Sequence, residues 1–277
     1  MFDLATDLAL ALDPVGLAEQ AGIYPDRWQR NVLRSPAPRQ LLNCCRQSGK
    51  STTTAILALH TAIYEPKSLT LLLSPGERQS KELLKKVMDV YRALDRPVPS
   101  DTENKLELEL ENGSRIVALP GNEGTIRGYS GVRLLIVDEA SRVPDSLYAT
   151  VRPMLAVSGG KLVALSTPWG QRGWWYEACE RKTGWKYVEI TAHECPRIPA
   201  AFLEEERATL PDLFFKSEYL CLFVDAMGQY FATEDVLGAV SSDVAPLFGQ
   251  PSIVESEEEC LPLFSGLTLA KPTTSQH

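Results

Sequence analysis

Short apolar runs at residues 40–44, 69–74, 115–119, 134–138 and 161–166 alternate with stretches at 50–62, 77–94, 144–155 and 173–181 whose apolar positions recur every three or four residues. Runs of that length bounded by turn residues predict strands, and the longer period predicts helices with one buried stripe. Strands interleaved with helices predict a mostly parallel sheet flanked by helices on both faces, an α/β fold. One segment breaks the rhythm: Leu106-Glu107-Leu108-Glu109-Leu110 alternates strictly and runs into Asn112-Gly113, which predicts a half-exposed β-hairpin inserted into the sheet. Residues 185–191 predict one more strand, and from 199 to about 223 the pattern turns helical, as a small C-terminal helical lid.

The ends differ from this middle. Residues 1–23 predict an N-terminal arm of one or two short helices, capped at Asp3 or Thr6 and broken at Asp13-Pro14. A core over 24–192 and a lid over 193–231 follow. Beyond Phe231 periodicity is lost, Ser, Pro and a Glu257-Glu258-Glu259 run accumulate, and residues 232–277 are predicted to be a disordered tail.

Composition narrows the picture. The 277 residues, 44% of them hydrophobic, suffice for a full core without disulfides. With 28 Lys and Arg against 36 Asp and Glu, the net charge of -8 excludes a protein that coats nucleic acid over its whole surface, while leaving room for a local basic face. Lys81, Lys85 and Lys86 are the visible basic cluster, readable either as a contact for nucleic-acid phosphates or as a solvated helix face. The six cysteines contain no CxxC pair, adjacent Cys44 and Cys45 cannot easily bridge each other, and His193 with Cys195 lacks a second ligand pair at zinc spacing. Reduced thiols are expected. No apolar run reaches the length of a membrane span, and acid stands at the N-terminus where a secretory signal carries Lys or Arg, so a soluble intracellular protein is expected.

The candidate chemistry lies at two strand ends. The first apolar run leads into Cys44-Cys45-Arg46-Gln47-Ser48-Gly49-Lys50-Ser51-Thr52 and then a helix. A turn of this kind points backbone N–H groups at a polyphosphate, the helix N-terminus adds its dipole, a lysine at position 50 reaches the β- and γ-phosphates and a Ser51 hydroxyl ligates Mg²⁺. Gly49 allows close approach of the main chain. The usual first glycine of such a loop is replaced by Cys44, so the tripeptide Gly49-Lys50-Ser51 alone carries little weight. The run Leu134-Leu135-Ile136-Val137-Asp138-Glu139 supplies the rest, since ligands of open α/β sheets bind at the carboxyl edge of the strands. On the strand expected to adjoin the phosphate loop, Asp138 can hold Mg²⁺ through water and Glu139 can polarise the attacking water. A third run ends in Ser166-Thr167-Pro168, either a γ-phosphate sensor or a turn initiator.

Together these residues resemble the ATPase domain of the large terminase subunit, the DNA-packaging motor of tailed bacteriophages, over residues 24–231. The resemblance implies a P-loop NTPase fold, ATP and Mg²⁺ as cofactors, and ATP hydrolysis coupled to translocation of double-stranded DNA. In that family the phosphate loop commonly lacks its first glycine and carries a basic residue before the glycine-lysine pair, as Arg46 does in Arg46-Gln47-Ser48-Gly49-Lys50-Ser51. The family's adenine-recognising glutamine corresponds to Gln29, its acidic pair to Asp138 and Glu139, and its coupling motif to Ser166 and Thr167. Arg127 stands where these motors carry an arginine that serves a neighbouring subunit's ATP, with Arg46 the competing candidate acting in cis and a plain surface arginine the alternative. Segments around Pro196-Arg197-Ile198-Pro199 and Phe214-Phe215-Lys216-Ser217-Glu218-Tyr219-Leu220 resemble the helical lid.

The implied partners are double-stranded DNA, a portal protein, a small terminase subunit and further copies of the chain in a ring. The implied setting is the cytoplasm of an infected bacterial host, transiently at the portal of a procapsid. A ribonuclease-H-like nuclease follows in full-length relatives, but Asp235, Asp243 and the glutamate run have no strand scaffold, so no nuclease is expected in this chain. It reads as a truncated product, a gene fragment or half of a split enzyme. Two alternatives stay open: a helicase-like ATPase, which would need a second core, and a nucleotide-dependent assembly or regulatory protein derived from a terminase that no longer pumps.

Overall fold

The computed structural model describes residues 3–121, 126 and 128–224. Arg127, residues 225–231 of the predicted lid and the predicted tail over 232–277 lie outside the described residues.

Among the described residues eight strands form one sheet: β1 (Arg39–Cys44), β2 (Leu69–Ser74), β3 (Ser100–Glu103), β4 (Glu107–Leu110), β5 (Arg115–Pro120), β6 (Leu134–Asp138), β7 (Lys161–Ser166) and β8 (Lys186–Ile190). Their spatial order is β3-β4-β5-β2-β6-β7-β1-β8. From β5 to β8 every neighbouring pair is parallel, and β3-β4 and β4-β5 are antiparallel. The hairpin at Asn112-Gly113 therefore extends one edge of the sheet. Gly113 takes a φ of 81°, which favours glycine. Strand β3 was not predicted; its Ser-Asp-Thr-Glu sequence is polar and half exposed because it forms the open edge.

The apolar runs of β1, β2 and β6 are buried on both faces. Alternate residues feed two cores. One face carries Leu42, Leu72, Ile136 and Leu165 beneath α4 (Lys50–Tyr64) and α5 (Glu77–Ala93). Val15, Leu17 and Ala18 of α2 (Pro14–Gln20) and Val32 and Leu33 of α3 (Arg27–Leu33) join that core. The opposite face carries Leu41, Leu71, Leu135 and Ala164 beneath α6 (Asp145–Val151) and α7 (Gly173–Arg181). Each leucine taken from exposure to full burial contributes about 1.5–3 kcal/mol, so these layers fix the strand ends rigidly.

Local sequence explains the helix boundaries. Asp3 caps α1 (Leu4–Leu12), its Oδ1 accepting from the N–H groups of Ala5 and Thr6 at 3.1 Å each. The helix predicted over 144–155 ends early: α6 stops at Val151 and Arg152–Leu155 continues as a 3₁₀ turn. Pro153 offers no N–H and restricts the residue before it. The helical stretch predicted from 199 divides into α8 (Ala200–Thr209) and α9 (Asp212–Leu220) for the same reason, at Pro211, and α9 ends where Cys221 turns left-handed at φ 59°. Among the described residues no helix is long and apolar enough to cross a membrane.

Candidate functional site

Parallel register brings three strand ends level: Asn43 of β1 pairs with Ser166 of β7, and Leu165 of β7 with Asp138 of β6. Strand β7 thus lies between the phosphate-loop strand and the acidic strand. This corrects the expectation that those two adjoin. The intervening strand is the one carrying Ser166-Thr167.

Between β1 and α4 the chain turns through two positive-φ residues, Gln47 at 58° and Gly49 at 86°. Cys44 is the last residue of β1, fully buried, with an extended partner register to Ile190. No left-handed backbone is needed there, so a cysteine is compatible with the loop. At a φ of 86° a side chain at position 49 would be strained, and its Cβ would stand 2.7 Å from Gln29 Nε2 and displace that amide from the loop. Lys50 is the first residue of α4, buried, with its Nζ 3.4 Å from the Cys45 carbonyl, folded back into the hollow of the loop. Thr52 lies in the same first turn, half buried.

Ser51 Oγ donates to Asp138 Oδ2 at 3.2 Å, so residues separated by the whole of β2 and α5 meet at one point. The other Asp138 oxygen accepts from the Glu139 N–H at 2.9 Å. Burial and the neighbouring Glu139 carboxylate push the Asp138 carboxyl above its ordinary range, with Lys50 opposing. Glu139 adopts φ 51°, a left-handed conformation uncommon outside glycine, which swings the chain off the strand immediately beyond Asp138. The donor set suits a hard divalent cation: two oxygen ligands converge and the remaining positions are left for water and phosphate. Among the described residues there is no cluster of three His, Cys, Asp or Glu groups that could hold a metal alone, and His193 and Cys195 form none.

Glu139 lines two adjoining hollows. One, of about 300 Å³, is walled by Arg46, Lys50, Gln79, Arg142, Thr167 and Glu218; the other, of about 280 Å³, by Ser51, Arg78, Gln79, Lys86 and Asp138. A larger cavity of about 500 Å³ between α5 and β3 contains no residue of the phosphate loop and neither Asp138 nor Glu139; Lys81, Glu82, Lys85, Met88, Arg92 and Glu103 are among its lining residues. The predicted Lys81-Lys85-Lys86 cluster is therefore split. The first two share one helix face, Lys81 pairing with Glu77, while Lys86 turns toward the acids.

Gln29 is buried against the loop, its Oε1 accepting from Asp26 N–H at 2.8 Å and its Nε2 donating to the Ser48 carbonyl at 3.3 Å. Ser166 and Ser141 hydroxyls are 2.7 Å apart, tying the end of β7 to the turn after Glu139. Arg46 is exposed at the rim, and its N–H donates to the Glu218 carbonyl at 2.9 Å.

Three residues at the site were not singled out in the sequence. Arg197 donates to the Ser48 carbonyl and pairs with Asp26 at 2.7 Å, joining the segment before α8 to the loop. Glu218 is buried at the cavity wall, and Arg142 stands beside Glu139. A signal existed for Glu218: it follows Phe215 by three positions and precedes Tyr219, which puts an acid on the apolar face of α9.

Strand order, loop and acidic pair define the chain as a P-loop NTPase fold. A model of the terminase large subunit of T4-like virus type, N-terminal part, matches residues 41–237, and the chain belongs to that family. It is 26% identical to the large terminase subunit of Thermus phage G20c over 79% of this chain and 53% of that one, and 25% identical to that of Escherichia phage T5 over 81% and 54%. The chain spans about half the length of the curated relatives it matches. Among solved structures, the large terminase ATPase domain of Thermus phage P74-26 superposes with a TM-score of 0.67 at 23% identity, covering 75% of this chain and 97% of that one. A large terminase from a thermophilic bacteriophage in complex with ADP superposes with a TM-score of 0.59 at 13% identity, over 72% and 53%.

Proposed function

We propose that this chain binds Mg·ATP at the carboxyl edge of its sheet and hydrolyses it to drive double-stranded DNA into a procapsid, as the motor part of a large terminase subunit. The observation that carries the reading is the 3.2 Å approach of Ser51 to Asp138 with Glu139 next to it. Family membership and the nucleotide complex of a structural relative support it.

In this reading the loop 46–52 wraps the phosphates, and Lys50 leaves the Cys45 carbonyl for the β- and γ-oxygens. Ser51 and Asp138 hold the cation, which supplies charge neutralisation on the phosphates. Glu139 orients and polarises the attacking water. Gln29 keeps one N–H and one oxygen lone pair beyond its two observed bonds, enough to recognise an adenine edge. Ser166 and Thr167 pass the loss of the γ-phosphate to β7, and α8 and α9, within the lid predicted over 193–231, move in response. Arg127 serves a neighbouring subunit's nucleotide, with Arg46 as the cis-acting competitor. Assembly as a ring on the portal, with a small terminase subunit and in the host cytoplasm, belongs to the same proposal.

Turnover of ATP with and without DNA tests this directly. Glu139→Gln is expected to lower turnover by about 10²–10⁴-fold while ATP binding persists. Parental turnover in that variant would remove Glu139 from the chemistry, and absence of ATP binding by the parent would end the reading.

A further inference from the structure

The cavity of about 300 Å³ beside Glu139 holds a cation that the roles above leave unused, Arg142. Its backbone is fixed. After Glu139 the chain makes one 3₁₀ turn, Ala140–Arg142, in which Arg142 N–H donates to the Glu139 carbonyl at 2.9 Å and so returns to the side of the acid. Ala140 and Val143 anchor the turn in the core, and Trp174 Nε1 donates to the Val143 carbonyl at 3.0 Å.

The side chain is oriented as well. The Arg142 guanidinium lies over the Trp169 ring, 4.1 Å from its centroid. Trp169 follows Thr167 by two residues, and Thr167 lines the same cavity. A cation–π contact takes up none of the guanidinium N–H groups, which stay available as donors. An arginine held over a ring at the wall of an anion site is thereby pre-organised to donate, with less side-chain entropy left to lose.

Resting on the ATP reading, we propose that Arg142 is a cis ligand of the γ-phosphate and that Trp169 is its positioning residue. The neighbours select the γ end: Glu139 and Thr167 line the hollow with Arg142, whereas Gln29, bonded to the Ser48 carbonyl, lines neither of the two hollows. The pair also gives the phosphate a second route to the Ser166-Thr167 segment, parallel to the hydrogen bond between Ser141 and Ser166.

Equilibrium binding of Mg·ATP and Mg·ADP, with tryptophan emission as a second readout, tests the assignment. Arg142→Gln is expected to weaken ATP by about tenfold, the scale of one charge-assisted hydrogen bond, and ADP by less than about twofold. Trp169→Phe keeps an aromatic platform and should retain ATP affinity, while Trp169→Ala should lose part of it. The emission assigned to Trp169 by difference from Trp169→Phe should change with ATP, not with ADP, and the change should vanish in Arg142→Gln. Equal effects of Arg142→Gln on both nucleotides, or none on either, would overturn the proposal while leaving the ATP reading in place. A parent that binds neither nucleotide would overturn both.

Discussion

The phosphate loop has two attachments, and they differ in kind. On one flank β1 and α4 hold it through the large apolar layers on the two sheet faces, where Leu41, Leu42, Ile56 and Leu59 are almost fully buried. On the other flank α8 and α9 hold it through a cluster of seven buried residues, Cys45, Ala192, Cys195, Leu203, Phe215, Tyr219 and Cys221, plus a few polar contacts from Arg197 and Glu218. The first attachment opens only with the whole domain. Among the described residues the second buries far less apolar surface and can open locally at lower cost, as elements that respond to a ligand must. Rigidity toward the sheet keeps Ser51 on Asp138; under the proposed function, looseness toward α8 and α9 would let the nucleotide exchange.

The largest expected effect breaks the strong side. Leu72→Ala, in the centre of β2 between Ala118 and Ile136, should cost about 2–5 kcal/mol in urea or thermal unfolding, because the cavity cannot collapse between paired strands. A loss under 1 kcal/mol would mean the sheet core relaxes more than a close-packed layer should.

An intermediate effect separates the two attachments. Burial raises the thiols of Cys44, Cys45, Cys179 and Cys221, Cys45 and Cys179 each to about 12, so reagents near pH 8 reach them only through opening. Cys45, Cys195 and Cys221 sit in the small cluster, Cys44 and Cys179 in the large ones. Labelling should take the first three at least about tenfold faster, a difference of about 1.4 kcal/mol in opening free energy. Equal rates across all five would show that α8 and α9 open only with the sheet.

The smallest effect is a control at a partly exposed ion pair on the border of the larger core. Asp13 caps α2 through Val15 N–H at 3.0 Å and accepts from Arg34 at 3.1 and 2.6 Å. The Arg34 hydrogen bonds hold its carboxyl below the ordinary 3.8, with burial opposing. A carboxyl lowered in the folded state stabilises above its unfolded value, and that contribution is lost as pH falls through the folded one. Asp13→Ala should therefore cost about 1 kcal/mol at neutral pH, the difference closing below about pH 4. A gap that persisted at pH 2 would assign the loss to packing.

Much of the site was legible because its chemistry is local. Gly49-Lys50-Ser51 and the strand ending in Asp138-Glu139 each announce themselves within a few residues. Gln29 was legible only through resemblance, since one amide near a helix start carries no signal of its own. Arg142, Arg197 and Glu218 were not legible as site residues, because nothing in an isolated arginine or glutamate tells which cavity it will face.

What the chain's pattern determined by itself was the alternation of strands and helices and the polarity of each, because burial on two faces or one leaves a period in the residues. What only tertiary structure decided was adjacency. That β7 lies between β1 and β6, that Ser51 reaches Asp138 across that gap, and that Arg142 lies on Trp169 follow from strand order and register. Those are set by packing among segments far apart in sequence, so no local period records them.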